Sequence, residues 1–135
     1  MAEAMLQDAL GDKSDISVTS AGIGALVGYP AAEYSAALMK ERGLDISGHK
    51  ARQLTPELIT ATDLILVMEA GHKRAIDMQD PTARGKVHRL GEWQDIDITD
   101  PHRKPRKAYE EALVLIEHGV NDWAEKIKES ESKQT

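Results

Sequence analysis

The sequence predicts an α/β fold, an open parallel sheet with helices packed against it, and three observations lead there. Helical and strand-like patterns alternate along the chain, the order that produces parallel pairing through crossovers. One run, Asp63-Leu64-Ile65-Leu66-Val67-Met68, is almost continuously apolar, as in a strand covered on both faces. The loops with unusual residues follow strands, on the edge where an open parallel sheet carries its binding site. At 135 residues the chain is long enough for one domain with its own core.

Met1–Leu10 reads as helix from its first residue, with Met1, Met5, Leu6 and Leu10 available for an apolar face. No Ser, Thr, Asp or Asn precedes it as a cap, so the reading expects a further element just upstream of residue 1. Gly11 ends the helix and Asp12–Asp15 is a polar turn. Ile16-Ser17-Val18-Thr19-Ser20 alternates β-branched residues and reads as a strand. It runs into a glycine-rich loop, Gly22–Pro30, whose spacing is not the dinucleotide fingerprint and suits the wall of another pocket.

Ala31–Arg42 reads as the second helix, with Ala32, Ala36, Leu38 and Met39 available for its buried side and Gly43 as its stop. Leu44–Leu54 is a connection in which Arg52 is expected to anchor the loop by an ion pair. Thr55 caps a short helix that has Pro56 at its first position and ends near Ala61. The apolar strand Asp63–Met68 leads into a helix over Ala70–Met78. Lys86–Leu90 is a more polar strand, expected at an edge. A long loop, Gly91–Pro105, precedes a closing helix over Arg106–Lys128. Its inner side is read as Ala108, Ala112, Leu115, Ile116, Val120, Trp123 and Ile127. The domain is taken as residues 1–129, with 130–135 as a polar tail.

Composition narrows the function. The net charge is −6 and the basic residues are scattered except at His102–Lys107, which argues against nucleic-acid binding. No apolar run approaches the roughly 20 residues that span a membrane, and the start lacks the pattern of a signal peptide, so the cytoplasm is the expected compartment. There is no cysteine, hence no disulfide, no thiolate metal site and no thiol nucleophile.

Asp95, Asp97 and Asp100 fall in the loop after the third strand. Their irregular spacing favours a solvated acidic loop over a cation site, and no metal is expected. Asp100 stands apart because Pro101 restrains it, and a carboxyl at the mouth of a strand-edge site can act as a general acid. A plain turn before the last helix remains the competing reading. His49, His72, His88, His102 and His118 lack the spacing of a helical zinc motif and read as isolated, His102 excepted for its place beside Asp100. Trp93 and Trp123 read as core.

Seven pieces, in order, resemble the bacterial low-molecular-weight protein-tyrosine phosphatases. They are Met1-Ala-Glu-Ala, Ser20-Ala-Gly, Gly28-x-Pro30, His49-x-Ala-Arg-Gln53, Ala61-x-Asp-Leu-Ile-Leu-Val-Met-Glu69, Leu90-Gly-x-Trp93 and Asp100-Pro-x-Arg-Lys104. The resemblance implies a three-layer, Rossmann-like open parallel sheet and hydrolysis of phosphotyrosine through a cysteinyl-phosphate, without metal or cofactor. It implies Asp100 as general acid, with His102 and Leu26, the latter in the glycine-rich loop, lining the substrate pocket. A phosphotyrosine protein is the implied substrate and a bacterial tyrosine kinase an implied partner, with the protein a monomer or weak homo-oligomer.

The family's nucleophilic Cys and phosphate-gripping Arg lie in a loop that would precede Met1, joining a central first strand to the first helix. Neither that strand nor that loop is in this sequence. The chain is therefore expected to be catalytically incompetent, and unstable, aggregation-prone or rearranged if made alone. A start placed at the in-frame methionine after the loop is the simplest account. Two other readings stay open: a non-catalytic binding relative, and an arsenate-reductase-like protein, against which the lack of cysteine counts.

Overall fold

The computed structural model describes residues 1–11, 16–22 and 31–133. Its elements are α1 (Ala2–Leu10), α2 (Glu33–Glu41), α3 (Pro56–Ala61), β1 (Ile65–Val67), α4 (Ala70–Gln79), a 3₁₀ turn (Pro81–Ala83), β2 (Val87–Arg89) and α5 (Arg106–Lys133). β1 pairs in parallel with β2, Ile65 opposite Val87 and Val67 opposite Arg89. α4 makes the crossover between them.

The period of two along the apolar run is what builds the layers. Ile65 and Val67 pack with Ile59 of α3, Ile76 of α4, Ala83 and Val87. Leu64, Leu66 and Met68 pack against the larger cluster, which joins Met5 of α1, Leu38 and Met39 of α2, and the α5 stripe of Tyr109, Ala112, Leu113, Ile116, Val120 and Trp123. The sheet thus has α3 and α4 on one face and α1, α2 and α5 on the other, the three-layer α/β arrangement. Met39, Ile59 and Val87 are fully buried, each contributing about 1.5–3 kcal/mol of transfer free energy.

Local signals behave as their chemistry requires. Thr55 Oγ1 accepts from Leu58 N at 3.2 Å with Pro56 opening α3. Gly43 takes φ 77°, and Leu44 N reaches back to Met39 O at 2.8 Å, closing α2.

Four expectations are corrected. Ile16–Ser20 forms no strand, and among the described residues the parallel pairing near it is a Gly22–Gln53 bridge. Side chains take up backbone acceptors there: Gln7 Nε2 donates to Val18 O at 2.9 Å and Arg52 Nε to Ser20 O at 3.0 Å. Alternating β-branched residues supply a propensity, but a strand also needs a neighbouring ladder. Arg52 anchors the loop, through a backbone carbonyl rather than an ion pair. On α5, Leu115 is 36 % exposed while Tyr109, Leu113 and Ala124 are buried; the 3.6-residue period carries the stripe past Leu115. α5 continues to Lys133 instead of Lys128, running into the segment read as a tail. No Gly or Pro interrupts it there, and Lys126 pairs with Glu129 at 3.8 Å.

The loop after β2 is held by Arg89. Its guanidinium, in a side chain 17 % exposed, pairs with Asp97 at 3.1 Å and with Asp95, while its backbone carbonyl accepts from Trp123 Nε1 at 3.0 Å. Asp97 also accepts from Ala70 N at 3.0 Å, capping α4, whose own N-cap residue Glu69 makes no side-chain cap. That hydrogen bond first, then the one from Arg89, holds the Asp97 carboxyl below the usual carboxylate range.

Two predictions follow from this packing. A Cβ on Gly119, in the middle of α5, would lie 2.6 Å from Leu90 O and 2.7 Å from Leu90 Cγ. Gly119→Ala should therefore lower stability by about 1–3 kcal/mol in chemical denaturation, despite alanine's better helix propensity. Because folding lowers the Asp97 pKa, its stabilising effect is complete above the unfolded carboxyl range and fades as pH falls through the folded value. Hydrogen exchange at the Ala70 amide should lose protection only below the ordinary carboxylate range, and Asp97→Ala should remove that dependence.

Candidate active site

The site builds from the C-terminal end of β1. Val67 O accepts from Leu90 N at 2.7 Å, and Met68 O accepts from Ile98 N at 2.8 Å. The intervening loop leaves and returns to the same strand end, and Ile98 is buried there, 2 % exposed. Arg89 bridges the two limbs of that excursion. Two residues after the Ile98 anchor the chain emerges at Asp100, which is exposed.

The Asp100 carboxylate is oriented by its own backbone. Its Oδ1 accepts from His102 N at 3.0 Å, and Lys104 N donates to Pro101 O at 2.9 Å, so residues 100–104 form a compact turn. Pro101 supplies the restrained backbone and Arg103 takes φ 63°. A carboxyl held this way, at the end of a parallel strand and open to solvent, can hand a proton to a departing oxygen.

The acidic loop divides. Asp95 and Asp97 are bound to Arg89, which gives them a structural role, while Asp100 stands outside that cluster. Among the described residues no group of three His, Cys, Asp or Glu side chains is arranged to hold a metal ion. Three histidines have structural neighbours: His49 Nδ1 lies 3.7 Å from Glu3, His72 Nε2 3.6 Å from Glu69, and His88 sits against the Trp123 ring with Nε2 3.2 Å from Gly85 O. His102 is exposed on the Asp100 turn. Leu26, with the rest of 23–30, lies outside the described residues. Trp123 is buried as expected; Trp93 is 47 % exposed and meets Trp123 edge-on at 4.6 Å.

Arg89 is the residue that sequence reasoning missed. The available signal was a single Arg closing a strand just before Glu92, Asp95 and Asp97, but spacing does not say which carboxylates fold back onto it. Among the described residues no helix is long and apolar enough to cross a membrane.

Comparison with known proteins bears on the family and the fold. The family model for low molecular weight phosphotyrosine protein phosphatase matches residues 1–133. The chain is 48 % identical over 128 residues to a probable low molecular weight protein-tyrosine-phosphatase, EpsP of Ralstonia solanacearum, covering 95 % of this chain and 86 % of that protein. The benzylphosphonate complex of Vibrio vulnificus Wzb superposes with a TM-score of 0.85 at 40 % identity, covering 93 % of this chain and 87 % of that one. The YwlE arginine phosphatase of Geobacillus stearothermophilus superposes with a TM-score of 0.90 at 28 % identity, covering 99 % and 87 %. The chain belongs to the low molecular weight phosphotyrosine protein phosphatase family.

Proposed function

We propose that these residues supply the scaffold and the proton donor of a protein-tyrosine phosphatase. The observation that carries this reading is the Asp100 turn, mounted on the C-terminal end of β1 in a chain that matches the family from residue 1 to residue 133. In this mechanism a thiolate attacks the phosphorus of phosphotyrosine, the P–O bond to the ring breaks, and Asp100 delivers its proton to the departing phenolate oxygen. Water then hydrolyses the cysteinyl-phosphate. His102 borders the entrance beside Asp100.

The thiolate is not supplied by these 135 residues, which contain no cysteine. The polypeptide as written therefore does not turn over: a proton donor without a nucleophile or an anion cradle leaves the chemical step where water leaves it. The substrate class we infer is a phosphotyrosine protein, a bacterial tyrosine kinase among the candidates, in the cytoplasm. Tyrosine is favoured over arginine as the phosphate carrier by likeness. The Wzb structure stands at 40 % identity and the arginine phosphatase at 28 %.

The test has two arms. The pure 135-residue chain should hydrolyse neither phosphotyrosine nor an activated aryl phosphate above the buffer blank. The same chain extended at its N-terminus by a strand and a Cys-x5-Arg-Ser loop should hydrolyse both. In that extended chain Asp100→Asn should reduce kcat for phosphotyrosine by about 10²–10⁴-fold, and by much less for a nitrophenyl ester, whose leaving group needs no proton. Equal losses on both substrates would remove Asp100 from the acid role.

A further inference from the structure

We propose that the turn carrying Asp100 is also a recognition surface for acidic residues flanking the substrate tyrosine. The proposal rests on the phosphatase reading and adds a substrate class to it.

The protein is acidic, with 23 Asp and Glu against 17 Lys and Arg. Its arginines are mostly committed. Arg42 holds Glu117, Arg89 holds Asp95 and Asp97, and Arg106 holds Glu41 and Glu110. Arg103, Lys104 and Lys107 behave differently. Their side chains are exposed and join no ion pair or hydrogen bond among the described residues. They form a cluster of cations beginning three residues after Asp100.

The fold does not ask for these charges. Arg103 occupies the left-handed region at φ 63°, where glycine or asparagine would sit without strain. The run leads into the start of α5, which has no acidic residue in its first turn. Cations at that end oppose the helix macrodipole. The segment thus carries unpaired positive charge against both backbone preference and helix electrostatics, next to the candidate acid. Local conflict of this kind marks a functional surface.

Charge complementarity sets the occupant. Arg103 and Lys104 share the compact turn with Asp100, so a substrate whose tyrosine lies at Asp100 would meet them through the residues that flank that tyrosine. Glu or Asp at those positions would pair with exposed cations, steering encounter and discriminating against neutral flanks.

The probe is amide chemical-shift titration of the N-terminally extended chain with two peptides of equal length, one with tyrosine flanked by Glu and Asp and one with tyrosine flanked by Gln and Asn. The unphosphorylated acidic peptide should shift the amides of His102, Arg103, Lys104 and Lys107, with affinity falling as salt rises; the neutral peptide should not. R103E with K104E should weaken the acidic peptide at least about threefold at low salt, the scale expected of exposed charge pairs, while R84E, away from the turn, should not. Equal shifts from acidic and neutral peptides, an unchanged affinity in the double variant, or tighter binding of a single-stranded oligonucleotide would each overturn the proposal. Because the decisive peptide carries no phosphate, failure of the phosphatase reading would appear instead in the Asp100→Asn assay and would leave this titration unaltered.

Discussion

The end of β2 at Arg89 is the point on which the rest of the site depends. Its backbone completes the parallel pair with β1, its carbonyl accepts from Trp123 of α5, and its guanidinium gathers Asp95 and Asp97. Asp97 in turn caps α4. One residue therefore joins a strand, a loop and two helices. A guanidinium suits that position because its planar fork presents several donors at once and stays charged at every pH the protein meets. Surface ion pairs taken singly add little to stability, but several carboxylates converging on one mostly buried arginine fix a loop's path. That path delivers Ile98 to Met68 and sets Asp100 just beyond the strand end.

Beneath the loop, the apolar run of β1 separates two hydrophobic clusters. Alternate residues face α3 and α4 on one side and α1, α2 and α5 on the other. α5 lies so close to the β2 end that residue 119 has to be glycine. Arg42–Glu117 and Arg106–Glu41 pairs then tie α2 to α5 at the rim. The catalytic carboxyl proposed here is thus a short projection from a rigid support, the arrangement that keeps a proton donor aimed while the residues beyond it adapt to a substrate.

The aspartates of the acidic loop differ in their partners. Three aspartates of the same chemistry lie within residues 95–100, yet two are consumed by Arg89 and one is turned outward by its own Asx turn with His102 N. The first two shape the loop; the third is exposed. Arg103, Lys104 and Lys107 join no carboxylate among the described residues, whereas Arg42, Arg89 and Arg106 do. The turn at the site edge thus carries exposed positive charge in an acidic protein.

Much of this was legible in the chain itself. The α/β class, the apolar strand, the Thr55–Pro56 helix start, the Gly43 stop and the family likeness all rest on local patterns: periodicity, capping chemistry, backbone restriction and ordered motifs. Asp100 could be singled out because Pro101 follows it. Properties set by distant partners could not be read that way. Ile16–Ser20 has a strand's composition but forms no strand. Leu115 and Leu113 are equally apolar, and only the crossing of α5 over the sheet buries one and exposes the other. Arg89 looked like the polar end of a weak strand until the fold brought Asp97 and Trp123 to it. Local sequence determined most of the elements and which residue types stand at the site. The tertiary structure decided which carboxylates are bound and which is free, because hydrogen bonds and ion pairs between residues far apart in the chain exist only once the layers have packed.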